Sequence, residues 1–470
     1  MATRAATGPA IDAEQPMAEA LRRALRGEVI DRGHPAYDQA RRVWNGLIDR
    51  HPAVIGRCAG TADVVEAVRV AREYRPVVSI RGGGHQVAGS AVCDDGLVID
   101  LSGMKGVQVD PTARTARAQA GVTWGELDRE TQLFGLATPG GEVSATGIAG
   151  LTLGGGMGVL QRAHGLSCDN LRSIQHVTAD GMVRTASPRE HPELFWAARG
   201  GGRGLGVVTS FEFDLHPLGP QVASALVLYP YQEAGSLLRA WPQVTAKVPE
   251  TVTPELALWS VPPDPAIPER LHGAKTVVVG GVYAGAPGDA DAALAPLRRL
   301  AEPLADLSGT SPYLEVQRSL DAAFPDGGRY YMLSHFMDGL SDQAIQAVLY
   351  WDARRPTPQT LIVIRTLGGA IASVGAEDSA YAHRSARFNL SIDATWSDAV
   401  LDGTAIGWAR STWAAIRPFA TGGVYVNFAG LGNETHGLRR AVLGANQQRL
   451  ERIRGAYDPD GLFDAAAHRP

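Results

Sequence analysis

Cysteine and metal-binding histidine patterns are both scarce in this sequence. The three cysteines, Cys58, Cys93 and Cys168, form no CxxC pair, which argues against a disulfide framework or a cysteine zinc site. None of the 12 histidines falls into an HxxH or HExxH pattern. The sequence therefore predicts no metal centre.

Long apolar runs are missing as well. No stretch approaches the roughly 20 apolar residues that span a bilayer. Residues 1–16 also lack the apolar centre that is typical of a signal peptide. We therefore expect a cytoplasmic protein without a membrane partner.

Charge of either sign is not in large excess. The chain has 44 Lys and Arg against 49 Asp and Glu, a net charge of −5, which supplies no attraction for a polyanion. The sequence therefore predicts no nucleic-acid partner. With 470 residues, 45% of them hydrophobic, the chain is long enough for two or three folded units.

Glycine is the residue in excess, at 55 of 470 positions against about 7% in average usage. The informative glycines form three clusters beside predicted strands: Arg81–His85, Gly140–Gly147 continuing to Gly154–Gly156, and Arg199–Gly206. Successive glycines let backbone N–H groups converge on an anion without obstruction by a Cβ atom. Three such clusters indicate a long ligand with a pyrophosphate.

Three interpretations of these clusters are open on the residues alone. A Rossmann dinucleotide site would use Gly154–Gly158 with Asp180 on a ribose, although the spacing is GxGxG and the preceding residues do not resemble a buried strand. The clusters could instead be structural turns without a ligand. The third interpretation is a flavin site.

A series of motifs favours the flavin. RGGGH at 81–85 is followed in order by Gly89-Ser90, LVIDLS, GIAGLTLGGG, HGLSCDNL, VTADG and ELFWAARGGGRGLGVVT, and near the end by YVNF at 425–428 and YDP at 457–459. Over residues 35–465 the chain resembles the berberine-bridge-enzyme-like branch of the vanillyl-alcohol-oxidase flavoproteins.

The resemblance implies an α+β fold with a PCMH-type FAD-binding domain made of two α+β subdomains. We expect a polar tail and an amphipathic helix at 18–30 within residues 1–45, the FAD-binding domain over 46–217, a substrate domain over 218–420, and a segment over 421–470 that returns to the FAD domain. After Pro217 the sequence alternates candidate strands with long helices, which independently predicts an antiparallel sheet backed by helices.

The resemblance also implies how FAD is held. His85 matches the histidine that bonds covalently to the 8α-methyl group of the isoalloxazine ring. Val143 occupies the place of the second, cysteinyl link of many relatives, so we expect one covalent bond, and we expect Cys168 to be a buried packing residue. The remaining cofactor contacts carried over are Arg81, Gly82, Gly83, Gly84, Gln86, Ser90, Gly141, Ser144, Thr146, Gly147, Gly150, Val207, Tyr425 and Asn427.

Two residues are the candidates for catalysis. If YVNF is a strand, alternation places Tyr425 and Asn427 on one face, and Tyr425 would serve as the base or orient the substrate, with a lowered pKa or coupled proton transfer. Some relatives carry a glutamate base at the place of Val363. Arg365 shares that strand face and either recognises an oxyanion or carbonyl of the substrate or forms a structural ion pair. Further polar residues expected along the cavity are Arg387, Asn389 and Ser391.

The function that follows from the resemblance is an FAD-dependent oxidase. It would take a hydride from a C–H bond next to oxygen or nitrogen of a small organic substrate, such as a secondary metabolite, and pass the electrons to O₂ to give H₂O₂. The short side chain of Thr146, near the flavin edge, favours O₂ access. A carbohydrate oxidase, a flavin-dependent oxygenase and a non-catalytic flavin-binding protein are the alternatives.

Overall fold

The first half of the chain forms two sheets. The computed structural model describes residues 11–202, 204–431 and 437–463. Within them, a sheet with three parallel strands and one antiparallel edge strand has the spatial order Val29–Asp31, Val54–Arg57, Leu97–Asp100 and Val78–Arg81. An antiparallel sheet has the order Val107–Asp110, Thr115–Gln119, Val207–Asp214, Leu171–Val177 and Val183–Ala186.

A helix over Thr61–Tyr74 connects these two sheets. Its apolar residues recur at helical spacing, and Val64, Val68 and Ala71 are fully buried. The helix contacts strands of both sheets and the helix Ile11–Ala24. One hydrophobic core therefore runs through both sheets, and it fixes the loops that leave their strand ends.

The second half contains a large antiparallel sheet, as the sequence predicts. Its spatial order within the described residues is Ala305–Asp306, Gln221–Pro230, Lys275–Tyr283, Val252–Ser260, Leu361–Thr366, Phe388–Trp396 and Arg329–Met337, with Gly309–Pro312 also paired to Gln221–Pro230. The helices that share its core are Ala234–Lys247, Ala290–Arg298, Asp342–Asp352 and Asp402–Ile416. The α+β fold with an antiparallel sheet is thus confirmed.

Shorter elements complete the described structure. The α-helices are Tyr37–Ala40, Trp124–Thr131, Ile148–Leu153, Gln161–His164, Pro192–Ala198, Tyr313–Gln317, Ala370–Ser373, Arg439–Leu443 and Gln447–Tyr457, and the strand Leu136–Ala137 pairs with His216–Pro217. Turns of 3₁₀ helix occur at Gln132–Phe134, Ser167–Asn170, Tyr231–Glu233, Glu269–Leu271, Pro287–Asp289, Asp321–Ala323, Ala399–Leu401, Arg417–Phe419, Val426–Phe428 and Gly444–Asn446. No helix in the described ranges is both long and apolar enough to cross a bilayer.

Two local predictions are wrong. The helix predicted over 18–30 ends at Ala24, because the following residues pair with the strand Val54–Arg57 and donate backbone hydrogen bonds to Asp63. The segment YVNF at 425–428 is a 3₁₀ turn rather than a strand. Its side chains are held by contacts across the molecule, which override its local β propensity.

Candidate active site

A cavity of about 670 Å³ lies where strands of the three larger sheets meet the glycine clusters. Ile80 contributes from the parallel sheet, Val208 from the five-stranded sheet, and Met332 from the large sheet. The other wall residues include all three glycine clusters and the segment 425–428. The volume is that of a site for a sizeable small molecule. Arg203, in the third cluster, lies outside the described residues.

Two of the glycine loops touch each other at this cavity. A Cβ atom on Gly83 would lie 2.5 Å from the backbone nitrogen of Gly147 and 2.6 Å from its Cα atom. Gly84 has a φ of +68°, in the left-handed region that favours glycine. Only glycine therefore permits this approach, which brings backbone N–H groups of both loops to the cavity wall.

We expect Gly83→Ala to destabilise the protein by about 1–3 kcal/mol, because the added methyl group forces the two loops apart. The midpoint of urea unfolding measures the loss. Gly407→Ala is the matched control, since a Cβ atom on Gly407 meets nothing within 4 Å and alanine is favoured inside a helix. An unfolding midpoint of Gly83→Ala equal to that of the wild type would contradict the steric argument.

Most of the predicted cofactor contacts line the cavity. These are Gly82, Gly83, Gly84, His85, Gln86, Ser90, Gly141, Thr146, Gly147, Gly150, Tyr425 and Asn427, together with Val143. The hydroxyl of Ser90 donates a 2.9 Å hydrogen bond to the side chain of Gln86. These two side chains thus brace one stretch of the wall.

Three predicted cofactor contacts have other partners. Arg81 is buried below the loop, where its guanidinium pairs with Asp100 at 2.6 Å. Ser144 donates to Asp321 through its hydroxyl at 2.5 Å and through its backbone N–H at 2.8 Å. Val207 points into the protein core, because alternation along its strand turns the neighbouring Val208 to the cavity. These residues support the wall but do not form it.

His85 follows the first glycine loop and reaches the cavity with its side chain. Its Nε2 atom is buried and has no hydrogen-bond partner among the described residues. Burial lowers the pKa of His85 to about 4, so the imidazole is neutral at pH 7. A neutral ring with an unpartnered nitrogen is suited to act as a nucleophile towards a molecule in the cavity.

Tyr425 holds the C-terminal segment of the cavity wall, residues 425–428, close to Gly156 and Met157. Its phenol oxygen accepts hydrogen bonds from the backbone N–H groups of Gly156 at 3.2 Å and Met157 at 3.1 Å, and from Asn427 Nδ2 at 2.8 Å. Burial raises the pKa of Tyr425 despite these bonds. The raised pKa keeps the phenol protonated, and this disfavours Tyr425 as the proton acceptor.

Arg365 is the centre of a buried polar cluster. Its guanidinium pairs with Glu142, with Nε 3.0 Å from Oε1 and Nη2 2.8 Å from Oε2, and its Nη1 donates to Ser391 Oγ at 2.7 Å. Ser391 Oγ in turn donates to Asp393 Oδ2 at 3.1 Å. Glu142, Arg365 and Asp393 all line the cavity. Arg365 thus forms the predicted ion pair and also faces the cavity.

The carboxyl groups around Arg365 have altered acidity. Burial raises the pKa of Asp393 to about 6, against the opposing charge of Arg365. Burial and the charge of Glu142 raise the pKa of Glu255 to about 7. Glu255 borders a small second cavity that Glu142 and Arg365 also line. Raised pKa values of this kind are typical of groups that exchange protons near pH 7.

Sequence reasoning missed Glu142, Glu255 and Asp393. The alternation through Asn389 and Ser391 was the available signal, because its next member is Asp393. The earlier members of that series do not line the cavity: Arg387 donates to the carbonyl of Pro242, and Asn389 is buried against the carbonyl of His335.

The Rossmann interpretation is wrong. Gly154 follows the helix Ile148–Leu153 and not a strand. Asp180 lies in a turn, where its carboxylate pairs with Arg184 at 2.8 Å, and it does not belong to the cavity wall. Glycine-lined walls, an unpartnered imidazole and a volume of several hundred Å³ fit FAD instead.

Comparisons with known proteins agree with this fit. The family model for the FAD binding domain matches residues 52–187. The FAD-linked oxidoreductase pgmH of Aspergillus terreus is 30% identical over 94% of this chain and 94% of its own length. The structure of 6-hydroxy-D-nicotine oxidase from Arthrobacter nicotinovorans is similar at a TM-score of 0.82 and 28% identity, over 94% of this chain and 97% of that one.

A second solved structure supports the same fold. The BBE-like 1 protein of Physcomitrella patens superposes at a TM-score of 0.84, with 22% identity over 95% of this chain and 97% of that one. The fold class, the glycine-lined cavity and these relatives lead to one assignment. The chain belongs to the FAD-linked oxidoreductases, and it has the fold of the PCMH- and vanillyl-alcohol-oxidase-type flavoproteins.

Proposed function

We propose that this enzyme is an oxidase that removes a hydride from a C–H bond next to oxygen or nitrogen of a small organic substrate, with O₂ as the electron acceptor and H₂O₂ as a product. FAD, when bound, accepts the hydride and passes its electrons to O₂. In this proposal the cofactor is joined covalently to His85, and Val143 leaves no second attachment point.

The observation that carries the proposal is the placement of the Asp393 carboxylate at the cavity wall, with Oδ2 bonded to Ser391 and Oδ1 left without a partner among the described residues. Hydride loss from an alcohol or amine carbon requires that the O–H or N–H proton leave as well. With a pKa of about 6, Asp393 is mostly ionised at pH 7 and still basic enough to accept that proton. Asp393 therefore replaces Tyr425 as the proposed base.

Arg365 and its partners hold this base in place. The chain from Glu142 through Arg365 and Ser391 fixes the Oδ2 atom of Asp393. The Oδ1 atom is buried and has no hydrogen-bond partner among the described residues. We assign Oδ1 to the substrate proton, because it is the oxygen that the protein leaves unused.

Apolar side chains surround the polar cluster and restrict what can bind. Phe324, Met332 and Phe428 line the cavity, and the guanidinium of Arg365 lies 5.2 Å from the ring centre of Phe428. Such walls exclude water, which strengthens the electrostatic interactions of the cluster. They favour a compact, partly aromatic metabolite, while the short side chain of Thr146, which also lines the cavity, leaves room for O₂.

Retention of flavin by acid-precipitated protein tests the proposed attachment. We expect the wild-type pellet to stay yellow and the His85→Ala pellet to be colourless, because only a covalent bond survives unfolding. A yellow His85→Ala pellet would place the bond elsewhere. A colourless wild-type pellet would refute the covalent link.

Reoxidation in air tests the proposed acceptor. The wild-type protein is photoreduced without oxygen and then mixed with air, and fast recovery of the oxidised spectrum with stoichiometric H₂O₂ is the expected result. Very slow recovery would instead indicate a dehydrogenase or a flavin-binding protein without turnover. Amines, secondary alcohols and oligosaccharides, tested in parallel, then separate the metabolite oxidase from a carbohydrate oxidase.

A further inference from the structure

The imidazole of His85, the proposed attachment point, is one of three stacked aromatic rings. The indole of Trp44 lies on the imidazole of His85, with ring centres 4.0 Å apart and planes 16° from parallel. The same indole is 3.8 Å from the ring centre of Tyr330, at 6°. Its Nε1–H group donates to the carbonyl of Phe324 at 3.1 Å. The plane of the imidazole is therefore set by a ring that is itself fixed.

The backbone around Trp44 joins the histidine loop to the large sheet. Its N–H group donates to the carbonyl of Gly84 at 3.2 Å. The side-chain amide of Asn45 donates at 2.8 Å to the carbonyls of both Val87 and Tyr330, and its oxygen accepts from Tyr330 N–H at 3.0 Å. The loop on both sides of His85 is thus bound to residues 44–45, which holds the backbone of Trp44 close to that of His85.

We propose that Trp44 is a positioning residue for the covalent attachment of FAD to His85. This inference rests on the histidyl linkage of the proposed function. A free imidazole turns about two side-chain bonds, whereas attack on one carbon needs one ring orientation. Stacking of this kind contributes about 0.5–1.5 kcal/mol beyond burial. The unpartnered Nε2 atom shows that hydrogen bonds to this nitrogen do not supply the orientation.

The attachment reaction is an oxidation. A bond forms between an imidazole nitrogen and the 8α carbon, while the imidazole N–H bond and one C–H bond of the methyl group break. Two protons and two electrons are released in total, and O₂, the acceptor of the proposed oxidase, takes them up as H₂O₂. Trp44 supplies no proton or electron in this scheme, so its removal changes the rate of attachment and not the product.

Trp44→Leu and Trp44→Phe test the proposal when both are produced with excess FAD. Acid precipitation separates covalent from released flavin, and the intact mass of the chain gives the attached fraction over time. For Trp44→Leu we expect attachment up to about tenfold slower than in the wild type, with total bound flavin per folded chain near that of the wild type. Its thermal stability should be lower, because a buried, stacked ring is lost. Trp44→Phe keeps a stacking ring and is expected to attach FAD within about threefold of the wild-type rate.

Each other outcome counts against the inference. Attachment by Trp44→Leu at the wild-type rate would overturn it, and equal loss of covalent and released flavin would assign Trp44 a structural role only. If Trp44→Leu does not fold, Tyr330→Leu applies the same test, because Asn45 contacts only backbone atoms of residue 330. A colourless wild-type pellet would refute the histidyl linkage itself. A yellow wild-type pellet together with an unaffected variant would refute only the role of Trp44.

Discussion

Asp393→Asn is expected to slow reduction of the flavin by substrate about 10²–10⁴-fold, the usual contribution of a positioned general base. The amide has nearly the same shape as the carboxylate and accepts the hydrogen bond from Ser391, but it cannot accept the substrate proton. Stopped-flow mixing with substrate in the absence of oxygen measures this step directly. Reoxidation by O₂, which does not use Asp393 in our proposal, should remain at the wild-type rate.

Stability provides an independent control for Asp393→Asn. Because burial raises the pKa of Asp393 to about 6 from an unfolded value near 4, the wild type loses stability as the pH rises from about 4 to about 6, and the loss is complete above pH 6. The variant should therefore be more stable than the wild type above pH 6 and equal to it below pH 4, where the carboxyl is protonated in both states.

Asp338, an exposed carboxylate after the strand Arg329–Met337, is the matched control, and Asp338→Asn should change neither the rate of flavin reduction nor the stability. A reduced rate without this pH pattern would point to a general structural defect.

Arg365→Met is expected to have the second large effect. The substitution leaves Glu142 and Asp393 near each other without the cation between them, and breaking a buried pair in this way costs about 3–5 kcal/mol of stability. It also raises the pKa of Asp393, because the charge of Arg365 lowers that pKa in the wild type. The acidic limb of the kcat/KM profile, near pH 6 in the wild type, should move about 1–3 pH units higher.

Arg365→Lys separates the two effects. Lysine keeps the positive charge but loses the bidentate geometry. The acidic limb of the kcat/KM profile should therefore move less than in Arg365→Met. An unchanged limb in Arg365→Met would show that Asp393 is not the group that titrates in the profile. Urea unfolding of the same variants reports the change in stability separately.

The sequence predicts the parts of the molecule that depend on local pattern. The strands Leu361–Thr366 and Phe388–Trp396 are predicted because β-branched and apolar residues predominate in the first and alternate with polar residues in the second, and the structure confirms both. The glycine clusters also predict the cavity. A backbone approach as close as that of Gly83 to Gly147 requires glycine, and runs of glycine are visible in the sequence.

What the sequence cannot predict is decided by long-range contacts. Glu142 and Arg365 are separated by 223 residues in sequence. Local pattern therefore does not indicate that the two form an ion pair. The YVNF turn resembles a strand locally, yet the hydroxyl of Ser334 accepts a hydrogen bond from the backbone of Tyr425 and holds it in another conformation. The raised pKa of Tyr425, which reassigns the base, comes from burial that only the assembled cavity produces.

Residues as distant as Trp44 and Phe463 border the same cavity, and this spread has a consequence for biogenesis. A nascent chain that does not yet include residues 425–463 has no wall at Tyr425 or Phe463 and cannot enclose a dinucleotide. Flavin loading must therefore follow synthesis of the chain as far as Phe463. Because a bound ligand stabilises the native state by mass action, newly made chains are most exposed to proteolysis while they wait for the vitamin-derived cofactor.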